Sequence, residues 1–390
     1  MNTLLASRVK NAPRSFTRKI LDVIDANDII SFAGGLPDED LFPHELIKKE
    51  ANNVFDTHSK HMYQYSSAQG SNELRTQIAQ KYSNKNENEI LVTTGSQQAL
   101  DLLCKAFIDE GDSIVVERPS YLAALNLFAL YNPNIQEVSL TCKGVDTKEL
   151  EEIFKTKHPK FFYTIPTFQN PTGWTWTDEC KKEVANLAQK YNVLIIEDGP
   201  YNDLCYEGVK HVGFDDLIPE LCVTLGTFSK TMVPDFRIGW MKAKEELIKT
   251  FQSMKENTDL QSPKFFQNVV ANVMKNGELT KHVQNLIQSY KAKRDAMANG
   301  LKEKFKDEIS FEKPKGGMFI WIKFQDNIDT MKLFDYIIEE GVAYVPGSVF
   351  FPGAPKSSYA RLNYTNATLE LIEEGLKRLK KGYDAYKKTL

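Results

Sequence analysis

The sequence predicts an α/β protein: a large domain with a mostly parallel sheet flanked by helices, and a smaller α+β domain. Between about residues 89 and 229, short and nearly continuous apolar runs alternate with segments of helical period. Strands that helices cover on both faces read this way, because neither face needs polar side chains. From about residue 263 onward, long helical stretches mix with shorter strand-like runs, which suits a separate α+β unit.

The first strand is EILVTT (89–94), and SQQALDLLCKAF follows it at helical period. SIVVE (113–117) is the second strand, with PSYLAALNLFAL as its helix. KFFYTIP (160–166) leads to TDECKKEVANLAQKY (177–191), whose opening Thr and first-turn acids suit a helix N-terminus. VLIIED (193–198) and CVTLGTFS (222–229) complete the series. The helix-rich stretch 263–305 then precedes FEKPKGGMFIWIKF, a helix near 329–340, the strand-like VAYVPG and YARLNYT, and a last helix. In that helix Ile372, Leu376, Leu379, Tyr383 and Tyr386 form one apolar stripe. This divides the chain into an N-terminal segment (1–45) shared with the small domain and the site, a large domain (46–290) and a small C-terminal domain (291–390).

Composition narrows the function classes. The 390 residues are 42% hydrophobic and 26% charged, an ordinary globular mixture and not a disordered one. The formal net charge of −3 gives no footprint for nucleic acid. No apolar run approaches a membrane span, and the start lacks a signal-peptide pattern. Cys104, Cys142, Cys180, Cys205 and Cys222 are scattered without a C-x-x-C pair. Reduced thiols in a cytoplasmic protein are the expectation.

Ligand sites in parallel sheets lie beyond the carboxyl ends of the strands. Gly95-Ser96-Gln97 follows the first strand and opens a helix, a place where free N–H groups and the dipole hold a phosphate. By itself this is only a capped helix start. FQNPTG (168–173) follows KFFYTIP, Asp198 and Tyr201 follow VLIIE, and Ser229, Lys230 and Arg237 follow the last strand. An acid ending an apolar strand is desolvated and wants a cation, although a structural ion pair is the commoner use. A lysine there can act as an amine nucleophile, although most lysines are solvated surface charges. Taken together, the groups match the needs of pyridoxal phosphate: a lysine for covalent attachment, an acid for the ring nitrogen and a phosphate cradle.

The chain resembles the fold-type I pyridoxal-phosphate aminotransferases of the aspartate aminotransferase superfamily. The nearest subgroup holds α-aminoadipate, kynurenine and aromatic aminotransferases and the aminotransferase-like half of MocR-type regulators. The resemblance runs from ISFAGGLPDEDLFP (30–43) to YARLNYT. It is carried by the ordered set YQYSSAQG, TTGSQQALDL, ERPSY, YTIPTFQNPTG, EDGPY, TFSK, FRIGW, GGMFIW and RLNY. It implies that Lys230 forms the Schiff base with the cofactor and later moves a proton between the substrate Cα and the cofactor C4′. Asp198 would keep the pyridine nitrogen protonated. Asn170 and Tyr201 would hydrogen-bond the ring hydroxyl oxygen, and Tyr121 would stack on the ring. Ser96, Gln97, Ser229 and Arg237 would hold the phosphate, with Tyr65 reaching in from a second subunit and Thr227 adding a hydroxyl. Arg361 would take the substrate α-carboxylate with help from Asn170, beside Gly35.

Several positions depart from the subgroup pattern without removing a required group. Gly199 stands where an acid is frequent, Thr227 where Ser is, and Pro234-Asp235-Phe236 where Pro-Gly-Leu is. Trp174 and Trp176 replace smaller aliphatics and read as packing or dimer residues. His58 and His61 lack a third ligand and read as surface residues, so no metal is expected. The expected activity is transfer of an amino group from an amino acid to a 2-oxo acid, with glutamate and 2-oxoglutarate as one pair, by a homodimer with shared sites. A β-lyase or decarboxylase would start from the same cofactor linkage. A MocR-type regulator would need an added DNA-binding domain, for which the residues before ISFAGGLP leave no room. Side-chain selectivity is expected to come from the 15–40 segment and from loops that the sequence does not place.

Overall fold

In the computed structural model of the chain, residues 4, 6–10, 29–58, 60–82, 86–208, 211–325 and 328–390 are described. Most of the 15–40 segment expected to select side chains therefore lies outside the described residues, as does the side chain of His61. Strand β1 (Ile30–Ser31) comes first. The large sheet uses β2 (Ile90–Thr93), β3 (Ser113–Arg118), β4 (Asn134–Thr141), β5 (Gly144–Val145), β6 (Phe161–Thr164), β7 (Leu194–Asp198), β8 (Cys222–Thr227) and β9 (Gly239–Lys242). Their spatial order is β2-β9-β8-β7-β6-β3-β4-β5. The pairs β4/β3, β3/β6, β6/β7 and β7/β8 are parallel. Strand β9 runs antiparallel to both β8 and β2.

The apolar runs become strands covered on both faces. Val116, Phe161, Tyr163 and Ile196 face one core with the helices Ser96–Phe107 and Leu122–Ala129. Their chain neighbours Val115, Phe162 and Ile195 face a second core under the helix Asp178–Tyr191. This is the period-two alternation of a strand, hidden in the sequence because both faces are buried. Thr177 caps that helix, its hydroxyl accepting from the Cys180 N–H at 3.2 Å, which contributes about 1 kcal/mol. Trp176 is a packing residue: 1% exposed, stacked on Phe162 and edge-on to Phe214.

A second sheet is built from β10 (Ile309–Ser310), β11 (Phe319–Phe324), β13 (Val345–Pro346) and β14 (Tyr359–Asn363), and β12 (Val342–Ala343) pairs in parallel with β1. The N-terminal segment is thereby tied to the C-terminal part. The apolar stripe of the last helix, Leu369–Lys387, is buried in this core, with Tyr383 stacked on Phe324. A continuous helix, Glu278–Phe305, runs past residue 290 and packs on the last helix. Strands β4 and β9 went unread in the sequence. Strand β4 is half-exposed along most of its length, and β9 has only four residues, starting at the Gly239-Trp240 end of the FRIGW motif. Among the described residues no helix is long and apolar enough to cross a membrane.

Candidate active site

The carboxyl ends of β2, β6, β7 and β8 open into one cavity of about 470 Å³. Gly35, Ser96, Gln97, Tyr121, Asn170 and Asp198 line it, together with Tyr201, Thr227, Ser229, Lys230, Arg237 and Arg361. Every site residue named from the sequence is thus brought together except Tyr65, which is 78% exposed and does not line the cavity.

Lys230 lies just past β8, half-buried. Its Nζ donates to the Gly35 carbonyl at 2.7 Å. Burial, then repulsion from Arg361 and Arg237, brings its amine down to about 8. At pH 7 roughly a tenth of such an amine is neutral, against fewer than one in a thousand for an ordinary lysine. The local chemistry is that of an amine nucleophile and base.

Asp198 ends β7 and is 2% exposed. Its Oδ2 accepts from the Tyr163 hydroxyl at 2.8 Å, while Oδ1 has no partner. Burial raises the carboxyl to about 6 against the lowering effect of that hydrogen bond. A buried carboxylate oxygen without a partner is costly, so this one is suited to an N–H or a cation inside the cavity.

Arg361 enters from β14, 5% exposed. Its Nη1 donates to Asn170 Oδ1 at 2.8 Å and its Nη2 to the Ala33 carbonyl at 2.7 Å. Phe319 and Phe350 lie against the guanidinium at 4.2 and 5.1 Å, a favourable setting for a delocalised cation. Its Nε is buried without a partner, which leaves a donor for an incoming anion. Asn170 Nδ2 also reaches the Tyr201 hydroxyl, at 3.4 Å.

The phosphate-type cradle is a close backbone approach. The helix Ser96–Phe107 starts at Gly95, at φ +78° and without a side-chain cap. A Cβ on Gly95 would strike the Arg237 guanidinium, and one on Gly239 of β9 would lie 2.8 Å from the Ser96 nitrogen. Only glycine leaves room on both sides of this turn. The Thr227 hydroxyl donates to Ser229 Oγ at 3.0 Å, placing two hydroxyls at the same end. The partnerless carboxylate oxygen, the glycine-built turn beside Arg237 and the lowered lysine together fit pyridoxal phosphate. Tyr163, the carbonyls of Ala33 and Gly35, and Phe319 and Phe350 are further groups at the site that the motifs do not single out. Tyr163 was detectable as the one phenol in the apolar run KFFYT; the carbonyls leave no mark in a sequence.

Fold and site together define an α/β enzyme of the pyridoxal-phosphate type. The chain belongs to the class I and II aminotransferases, whose family model matches residues 27–379, and it is a pyridoxal-phosphate-dependent aminotransferase. It is 39% identical to aromatic-amino-acid aminotransferase 1 of Thermococcus litoralis, covering 93% of this chain and 89% of that one. Its fold superposes with a TM-score of 0.94 on the kynurenine aminotransferase of Pyrococcus horikoshii, a complex with pyridoxamine phosphate. Identity there is 36%, over 99% of this chain and 98% of that one. It superposes equally, at 0.94, on the α-aminoadipate aminotransferase of Thermus thermophilus, complexed with N-(5'-phosphopyridoxyl)-L-leucine. Identity is 31%, over 100% of this chain and 99% of that one.

Proposed function

We propose that the enzyme moves the amino group of an L-amino acid to a 2-oxo acid by a ping-pong sequence, with glutamate and 2-oxoglutarate as one pair. The observation that carries this reading is the convergence of the Lys230 amine, the partnerless Asp198 oxygen and the Arg361 guanidinium on one cavity. When bound, the cofactor supplies a sink for the electrons released at the substrate Cα. Asp198 holds the proton on the ring nitrogen, and Tyr163 keeps that carboxylate oriented. Asn170 and Tyr201 hold the ring hydroxyl oxygen, and Tyr121 covers a ring face. Ser96, Gln97, Thr227, Ser229 and Arg237 hold the phosphate.

Arg361 takes the α-carboxylate, which every donor and acceptor carries, with Asn170 and Gly35 alongside. Lys230, as a neutral amine, removes the proton from the substrate Cα. Tyr65 completes the phosphate cradle of a second copy of the chain in a homodimer; its 78% exposure supports that placement, and a sizing column reads the dimer. A cytoplasmic location accords with the charge and cysteine pattern. Relatives named for aromatic amino acids, kynurenine and α-aminoadipate supply the donors to try. With 2-oxoglutarate as acceptor, double-reciprocal plots against an accepted donor are expected to be parallel. Intersecting lines would rule out the ping-pong order, and a full donor panel without turnover would rule out the pairing.

A further inference from the structure

Two residues of the ERPSY and FQNPTG motifs lie behind the cavity rather than in it. Gln169 is wholly buried, and its side-chain amide is fully engaged. Nε2 donates to Glu117 Oε2 at 3.0 Å and to the Pro119 carbonyl at 2.9 Å. Oε1 accepts from the Thr172 N–H at 2.9 Å and the Thr172 hydroxyl at 2.8 Å. An amide with both protons donated and both lone pairs taken has a single orientation. The Gln169 backbone is held as well, its N–H by the Trp174 carbonyl and its carbonyl by the Gly173 N–H.

Glu117, also wholly buried, accepts from the Thr164 hydroxyl at 2.7 Å and from the more distant Ile165 N–H at 3.4 Å. The network therefore ties β3 and β6 to the 168–173 turn. The next residue in that turn is Asn170, whose Oδ1 orients Arg361. A buried polar network adds little net stability over apolar packing, but a fully satisfied one fixes geometry.

We propose that Glu117 and Gln169 are positioning residues for carboxylate recognition: they fix the turn so that Asn170 holds Arg361 ready for the substrate. This rests on the reading of Arg361 given above. Burial pushes the Glu117 carboxyl up to about 7 against its hydrogen bonds from Thr164 and Gln169, so a neutral side chain suits the position. In Glu117→Gln the amide oxygen can face Gln169 while the NH2 faces the Thr164 hydroxyl.

The test titrates the holoenzyme with glutarate and with 3-phenylpropionate, carboxylates that lack a reacting amine, by calorimetry, alongside steady-state kinetics. Gln169→Leu should raise both dissociation constants, and KM for donor and acceptor, about tenfold, the effect of losing one oriented charged contact. KM should rise by more than kcat falls. Glu117→Leu should act in the same way, and Glu117→Gln should recover most of the loss. Thr172→Val removes one bond to Gln169 and should give about a threefold rise, which serves if Gln169→Leu does not fold. In an Asn170→Ala background neither change should add anything, because both act through Asn170. Unchanged carboxylate binding in the folded variants, or full additivity with Asn170→Ala, overturns the proposal. If Arg361→Lys also leaves carboxylate binding unchanged, the reading of Arg361 falls with it; if Arg361→Lys weakens binding while the others are silent, only the positioning proposal falls.

Discussion

Replacing Lys230 with alanine should abolish turnover and leave the fold and a non-covalently held cofactor in place. The Nζ makes one hydrogen bond, to the Gly35 carbonyl, and sits near two other cations, so its removal relieves repulsion as well as losing a contact. The phosphate cradle and Asp198 remain. Loss of the base alone should cost about 10²–10⁴-fold in rate, and loss of covalent attachment adds to that. Borohydride reduction followed by peptide mapping checks the assignment. Wild-type protein should carry label on the peptide containing Lys230, and Lys230→Ala should carry none. Label on another lysine would remove Lys230 from the mechanism.

Asp198→Asn should be the second-largest effect. The amide keeps the shape and leaves Tyr163 a partner, but it has no charge with which to hold a proton on the ring nitrogen. We expect kcat to fall about 10²–10³-fold, the size of one lost electrostatic stabiliser in a dry site. The cofactor-free protein gives a second, activity-independent reading. Burial raises Asp198 to about 6, above the roughly 3.9 of an unfolded chain. Its stabilising contribution is then full below about pH 4 and is lost as pH rises through about 6. Thermal melts should therefore show wild type losing stability relative to Asp198→Asn between pH 4 and pH 7. A difference that does not change with pH would place the carboxyl in an ordinary solvated setting.

Much of this site is legible in the sequence because its side chains follow strands that are easy to read. VLIIED ends on Asp198 and CVTLGTFS leads into Lys230, so the strand itself points to the residue. The helix after Gly95 is likewise clear from its period. The resemblance supplied roles that no spacing gives, such as that of Arg361, which reaches the cavity from β14 in the other sheet. What stayed hidden has physical reasons. The carbonyls of Ala33 and Gly35 are backbone groups brought in by the pairing of β1 with β12, which joins residues over 300 positions apart. Glu117 closes the strand-like run SIVVE, and only the folded turn shows what it holds. Tyr163 is one of three aromatics in KFFYT, and only the fold brings its hydroxyl against Asp198.

The central claim is amino transfer at the Lys230 site, and the most direct measurement is the half-reaction. Holoenzyme is mixed with one accepted amino donor and no 2-oxo acid, and products are counted against Lys230 sites. One 2-oxo acid should be released per site, then no further product, with the cofactor left in its aminated form until a 2-oxo acid is added. Continuing release of ammonia or carbon dioxide beyond one per site, without any acceptor, would contradict it and assign the same site to elimination or decarboxylation.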